Sequence, residues 1–186
     1  MSDKIRCSWC EKDDLYRNYH DNEWGKPVYD DATIFEFLIL ETFQAGLSWY
    51  TVLAKRENFR KAFDNFNVEK IANYSQKKLD ELAENSGIIR NKLKIKATVS
   101  NAQAFIKVQE EFGSFSKYIW GFVGGKPIDN KPKTLAEVPA TTEISDQLSK
   151  DLKKRGFKFV GSTVIYAHMQ ATGMVNDHIL DCWTRK

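Results

Sequence analysis

Cys7 and His20 stand near one end of this 186-residue chain, and His178 and Cys182 stand near the other. Two thiolates and two imidazoles form a complete tetrahedral set for structural zinc. On a helix, the His178-x-x-x-Cys182 spacing puts both side chains on one face, a turn apart. Cys7-x-x-Cys10 has the spacing of half a zinc knuckle, so five donors compete for four places. A metal held this way would clasp residues 1–24 to residues 174–186; the competing possibility is unrelated thiols and scattered histidines. His168, inside Val164-Ile165-Tyr166-Ala167-His168-Met169, reads as an ordinary helix residue.

A second candidate is Glu41, in the segment FEFLILETF, which is apolar on nearly every face. Such a helix is buried on all sides. Glu36 and Glu41 are about 140° apart around a helix and cannot share one exposed stripe. A carboxylate buried without a partner costs several kcal/mol, so at least one of the two needs a reason to be there. Tyr16, Tyr19, Trp24, Phe43 and Trp49 cluster around Glu41 in sequence. Aromatic walls with one acidic group suit a flat, electron-poor or cationic ring, although core packing alone explains many such rings.

A third candidate is the run KDLKKRGFKFVGSTVIYAHM. Lys150, Lys153, Lys154, Arg155 and Lys158 surround Gly156 and Gly161 in a short link between two helical stretches. Such a link aims backbone N–H groups at a phosphate with lysines alongside. The ordinary alternative is a solvated charged face. Arg90, Lys92, Lys94 and Lys96 form a second basic group.

The elements that must position these residues read as helices. Asp30 and Asp31 cap a helix through TIFEFLILETF that ends at Gly46. Val52, Phe59, Phe63 and Phe66 give helical spacing from Tyr50 to Phe66. Leu79, Leu82 and Ala83 mark a short helix stopped by Gly87, and a long one runs from Asn91 to Phe112, stopped by Gly113. Residues Gly121 to Lys133 read as the longest loop, followed by a capping-box pattern, Thr134-x-x-Glu137. Ser145 to Arg155 and Ser162 to Thr172 are two further helices. Strand-like alternation is scarce, and the expected fold class is all-α.

Composition bounds the possibilities. With 42% hydrophobic and 13% aromatic residues the chain can bury a real core, which excludes a disordered protein. The length suits one compact unit, residues 1–186. The polar start, MSDKIRCSWCEKDD, lacks a secretory signal, and no apolar run reaches bilayer length, so no membrane partner is expected. Three cysteines form no disulfide framework, which favours a reducing cytosol. A net charge of +3 permits a polyanionic partner without requiring one.

Five segments in order, YHDNEWG (19–25), QAGLSW (44–49), SGIIRNK (86–92), LKKRGFKFVG (152–161) and VNDHILDC (175–182), closely resemble the DNA-3-methyladenine glycosylase I family. These are constitutive bacterial enzymes of the helix-hairpin-helix superfamily. The resemblance spans about Arg6 to Cys182. It implies a helix-hairpin-helix glycosylase fold with the hairpin region at about 145–172, and zinc on Cys7, His20, His178 and Cys182, with Cys10 outside the set. It implies a base pocket of Glu41, Tyr16, Tyr19, Trp24 and Trp49, with Trp9 nearby. DNA contacts would come from Gln44, Leu47 and the hairpin residues Lys154, Arg155, Gly156, Lys158 and Gly161.

Phe159-Val160-Gly161 lacks the first glycine of the superfamily's glycine-x-glycine hairpin. Thr163 stands roughly where bifunctional relatives carry a Schiff-base lysine, so no strand-nicking activity is expected. The implied reaction is hydrolytic excision of 3-methyladenine from double-stranded alkylated DNA by a cytosolic monomer, leaving an abasic site and the free base. Glu41 is the expected catalytic group; Asp177 and Asp181 flank metal ligands and are expected to be structural, and the activator of the attacking water is left open between Glu41, Asp177, Asp181 and none. Leu47 is expected to fill the vacated stack. The alternative from another class is a non-catalytic, zinc-stapled DNA-binding module; a zinc hydrolase is disfavoured because four protein ligands leave no open position for water.

Overall fold

The computed structural model describes residues 4–185; the outermost residues of the expected clasp, 1–3 and 186, lie outside them. The fold is mostly helical, as the periodicity implies. Ten α-helices occur among the described residues: α1 (Asp14–Asn22), α2 (Asp31–Gln44), α3 (Trp49–Leu53), α4 (Arg56–Ala62), α5 (Val68–Ala72), α6 (Gln76–Glu84), α7 (Lys92–Phe112), α8 (Phe115–Gly121), α9 (Glu143–Lys154) and α10 (Ser162–Ala171). Two-residue strands β1 (Ile128–Asp129) and β2 (Val175–Asn176) pair in parallel. Among the described residues no helix is long and apolar enough to cross a membrane.

Helix α2 is the axis of the molecule. Asp30 caps it, its carboxylate accepting from Thr33 N at 2.8 Å. Its side chains from Phe37 to Phe43 are all buried, as are Ile34 and Phe35. It packs against α7, α8 and α10, and each buried Leu, Ile or Phe contributes roughly 1.5–3 kcal/mol. Helix α7 runs from an Asn91 cap to Gly113, whose φ of +83° ends it. These two long helices match their expected bounds closely.

Other expectations are corrected. The single helix expected from Tyr50 to Phe66 is three elements: α3, α4 and a turn in which Asp64, Asn65 and Phe66 all have left-handed φ, from 51° to 55°. Val52, Phe59, Phe63 and Phe66 are nonetheless all buried, because each element turns its own apolar side inward. The Thr134 cap does not form; Glu137 instead reaches back to accept from Lys133 N at 2.7 Å. The capping box lies eight residues later, where Thr142 and Ser145 exchange bonds at the start of α9.

The segment carrying His178 and Cys182 is also not an α-helix but a turn that follows β2. Asn176 Oδ1 accepts from His178 N at 3.2 Å, and Arg185 donates to the His178 carbonyl at 2.9 Å, so this segment bonds locally. Gly25 and Gly173 let the N-terminal segment lie against this end of the chain. A Cβ on Gly25 would stand 3.0 Å from the His178 ring, and one on Gly173, where φ is +68°, would stand 2.2 Å from the Lys26 carbonyl carbon. Gly25 N donates to the Gln170 carbonyl and Val28 N to that of Thr172 across this contact.

Candidate active site and metal centre

Glu36 and Glu41, so close in sequence, have opposite environments. Glu36 Oε1 accepts from Arg56 Nε at 2.6 Å and from Arg60 Nε at 3.0 Å. Glu41 is 2% exposed and its Oε2 has no partner among the described residues. Burial holds its pKa well above the usual carboxylate range, which favours the protonated form in the free protein. Glu41 lines a cavity of about 330 Å³ together with Trp9, Tyr16, Tyr19, Trp24 and Trp49. Trp49 Nε1 is a second buried polar atom there with no partner. Native structures leave few such atoms unpaired (each costs about 1–3 kcal/mol), and those that persist call for a functional reason.

The rings form walls and supply donors. Trp9 packs edge-on against Tyr16 at 4.9 Å and Trp24 at 5.0 Å, and Tyr19 lies 5.5 Å from Trp49. Burial pushes the Tyr16 phenol up to about 12, with Cys10 and Glu41 adding to the shift, so it remains an O–H donor at neutral pH. Phe43, expected among these rings, faces away and packs on Phe59 and Phe63, 4.9 and 6.0 Å distant, because it lies about 200° around α2 from Glu41. Asp13 caps α1 through Tyr16 N at 2.9 Å and also accepts from the Tyr50 hydroxyl, tying α1 to α3 at the rim. Leu135, Val138, Ala167 and Gln170 complete the lining. They are not legible in the sequence, since the loop and α10 bear no local mark of the cavity they reach.

Beside the cavity the four clasp residues meet. One donor atom from each of Cys7, His20, His178 and Cys182 lies within 4.8 Å of the others, and all four residues are buried. His178 Nδ1 stands 3.2 Å from His20 Nε2, 3.5 Å from Cys182 Sγ and 3.8 Å from Cys7 Sγ, and Cys182 Sγ stands 3.5 Å from His20 Nε2. A tetrahedral ion with metal–nitrogen bonds of about 2.0–2.1 Å and metal–sulfur bonds of about 2.3 Å requires edges of about 3.3 Å between nitrogens and about 3.5 Å between nitrogen and sulfur. The set therefore fits such an ion.

The outer contacts agree with that fit. His20 Nδ1 bonds Asp21 Oδ1 at 2.8 Å, and His178 Nε2 bonds the Trp24 carbonyl at 3.0 Å, so each ring directs its other nitrogen to the centre. Arg6 and Trp183 hold Asp21 in turn. Burial lowers His178 to about 4, leaving a neutral ring able to ligate, and raises Cys7 to about 12. A thiolate there calls for a cation. Cys10 is buried but outside the quartet. His168 is a core residue whose Nε2 meets the Ile34 carbonyl at 3.1 Å.

On the outer surface, Leu47 is 42% exposed on the turn after α2, while Gln44 reaches the cavity. The link between α9 and α10 is anchored by buried Phe157 and Val160. Asn101 clamps Lys158 through both backbone groups, at 2.7 and 3.1 Å, and Ser149 donates to the Val160 carbonyl at 2.6 Å. Phe159, where the first hairpin glycine is expected to be missing, adopts a left-handed φ of +57°. Gly156 and Gly161 flank the link, and Lys154 and Lys158 are exposed. Arg155 is engaged by Asp151 at 2.7 Å and Glu111 at 2.6 Å. Lys94, expected in a basic surface patch, is buried; its ammonium donates to the carbonyls of Phe43 at 2.9 Å and Ala45 at 2.8 Å. It caps the end of α2, where the carbonyl ends of the helix attract a cation.

A mostly helical scaffold with an aromatic cavity around one unpaired carboxyl group suits a class of base-binding protein. The model of the methyladenine glycosylase family matches residues 9–186, and the chain belongs to that family. DNA-3-methyladenine glycosylase 1 of Escherichia coli is 48% identical over 177 residues, 95% of each chain. The DNA-3-methyladenine glycosylase of Haemophilus influenzae is 49% identical over 95% of this chain and 96% of its own. The Staphylococcus aureus 3-methyladenine DNA glycosylase I, solved to explain 3-methyladenine recognition, superposes with a TM-score of 0.94 at 38% identity, covering 97% of this chain and 96% of that one.

Proposed function

We propose that this protein is a monofunctional DNA-repair N-glycosylase that extracts 3-methyladenine from alkylated duplex DNA and hydrolyses its glycosidic bond, leaving an abasic site. The observation that carries the proposal is Glu41, a buried carboxyl group without a partner in an aromatic cavity. A non-catalytic DNA-binding module has no use for it. The helices α9 and α10 with their link act as the helix-hairpin-helix, Lys154, Gly156, Lys158 and Gly161 forming the backbone-gripping region while Arg155, bonded to Asp151 and Glu111, holds the end of α9 in place. The protein acts as a monomer in the cytosol.

Methylation at N3 leaves the adenine cationic and weakens its bond to the sugar, so departure needs little acid catalysis. Extraction costs a few kcal/mol of unstacking, least for a damaged base. Leu47, on the exposed turn, fills the vacated stack. Trp49 stacks on the extracted ring, with Trp9, Trp24 and Tyr19 completing the walls, and the Tyr16 hydroxyl and the Glu41 carboxyl group take its polar edge. Binding the cationic base favours the ionised form of Glu41, whose proton passes to solvent, and the carboxylate stabilises the positive charge that develops on the sugar. A base without the matching donor leaves that charge unpaired.

Zinc is the ion proposed for Cys7, His20, His178 and Cys182, where it supplies a structural clasp. The four side chains then hold α1, with Tyr16 and Tyr19, against the turn after β2. The reaction is tested by incubating the protein with methylated duplex DNA and chromatographing the released bases. Absence of 3-methyladenine in the soluble fraction, from folded and metal-loaded protein, refutes the activity.

A further inference from the structure

Gln170 stands in the cavity wall on α10. Its Nε2 donates to Asp177 Oδ2 at 2.9 Å. Asp177 is 1% exposed, and the same carboxylate accepts from the Tyr166 hydroxyl at 2.6 Å and from Asn130 Nδ2 at 2.7 Å. Three donors occupy it, and it does not line the cavity, so its chemistry is directed at Gln170 and not at a substrate. A carboxylate only accepts, which fixes the amide: the NH2 end must face Asp177, and the carbonyl end is what remains for other partners. No donor among the described residues takes that oxygen.

The geometry points to Gln170 as a specificity-determining residue: its amide carbonyl, locked by Asp177, selects a purine bearing an amine at C6 over one bearing a carbonyl at C6. This assignment rests on the glycosylase activity proposed above. Adenine carries an amine where guanine carries an oxygen. N3-methylation makes both rings cationic, so stacking and charge alone do not read the group at C6; guanine's additional amine lies at C2, beside the methyl group. Glu41 separates them only while it is ionised, because its protonated form can donate to a carbonyl. An amide pinned at its nitrogen end has no such choice. In a dry cavity, a carbonyl set against another carbonyl leaves both unpaired, a mismatch worth roughly tenfold or more in rate.

The test uses methylated duplex DNA containing both 3-methyladenine and 3-methylguanine, with both released bases measured in the same reaction. Their ratio of initial rates does not depend on how much of the enzyme is active. Gln170→Met keeps the length of the side chain and removes the acceptor; the ratio of 3-methyladenine to 3-methylguanine is expected to fall about tenfold. Asp177→Asn offers an N–H to the Gln170 oxygen, allowing the amide to reverse and present its NH2 end, and the ratio is expected to fall at least as far. A ratio within twofold of wild type in Gln170→Met overturns the assignment. Wild-type protein that releases neither base overturns the activity itself, and the assignment with it.

Discussion

Glu36 and Glu41 lie on the same helix, yet Glu36 is bonded by Arg56 and Arg60 while the Glu41 Oε2 atom meets no donor. One carboxylate is part of the scaffold, and the other is held without a partner at a cost to stability. The burial that raises the Glu41 pKa makes the folded protein hold a proton that the unfolded chain releases near its ordinary carboxyl range.

The sign of the resulting linkage is fixed. The contribution is fully present below the unfolded pKa and is lost as pH rises through the window up to the folded pKa, at about 1.4 kcal/mol per pH unit. Glu41→Gln has no such window. Its thermal stability should match wild type near pH 4 and exceed it increasingly toward pH 8, while base release falls by roughly a hundredfold or more. Thermal melts across pH, read beside the chromatographic assay, check both halves. A variant that unfolds at pH 8 would assign Glu41 to the scaffold.

The clasp gives a second expectation. Cys182→Ser removes one thiolate from a buried set whose other thiol and rings remain. Structural zinc contributes on the order of 10 kcal/mol in small fingers, and less is needed where a core already exists. Zinc per chain should drop from one toward zero, melting should move down by several degrees, and free 3-methyladenine should bind more weakly because Tyr16 and Tyr19 lose their anchor. Unchanged metal stoichiometry contradicts the ligand set.

Much of this is legible in the sequence because it rests on residue chemistry and local capping. The zinc-type donors are legible from residue type, and the Asp30 cap and the apolar faces of α2 are written in contiguous residues. The rest depends on what the chain meets at long range. Glu36 and Glu41 look alike until Arg56 arrives from α4 to take only one of them. His178 and Cys182 have helical spacing, yet Asn176 and Arg185 hold them in a turn. Lys94 looks like one more surface lysine; only the end of α2, 49 residues away at Ala45, makes it a cap. Leu135 and Val138 sit in a loop pinned by β1 and by Leu180 N donating to the Pro132 carbonyl.

The hairpin residues should separate by salt response. Lys154 and Lys158 are exposed, and alanine at either should lower the slope of log affinity against log salt by about 0.9 for each phosphate it leaves without a cation. Arg155 is tied to Asp151 and Glu111 and lies 5.0 Å from the Phe112 and Tyr118 rings. Arg155→Ala should therefore lower the melting temperature more than it changes the slope. DNA titrations across a series of salt concentrations distinguish the two behaviours; a slope reduced in Arg155→Ala as much as in the lysine variants would place that side chain on a phosphate instead.

Lys94 and Leu47 should act as one unit. The Lys94 ammonium holds the carbonyls of Phe43 and Ala45, which set the path of the chain into Gly46, at φ +81°, and then Leu47. Hydrogen bonds to a charged group are worth about 1.5–3 kcal/mol each, so Lys94→Met frees a turn that must stay rigid to enter a stacked duplex. Leu47→Ala removes the side chain that the turn presents. Each variant should slow base release from fully paired DNA by at least about tenfold, and each should recover partly when the lesion lies opposite an abasic site, where unstacking costs less. If Lys94 works through Leu47, the double variant should be scarcely slower than Leu47→Ala alone, a coupling that a double-mutant cycle of single-turnover rates measures directly. Additive losses would mean that Lys94 acts elsewhere, through the end of α2 and Glu41.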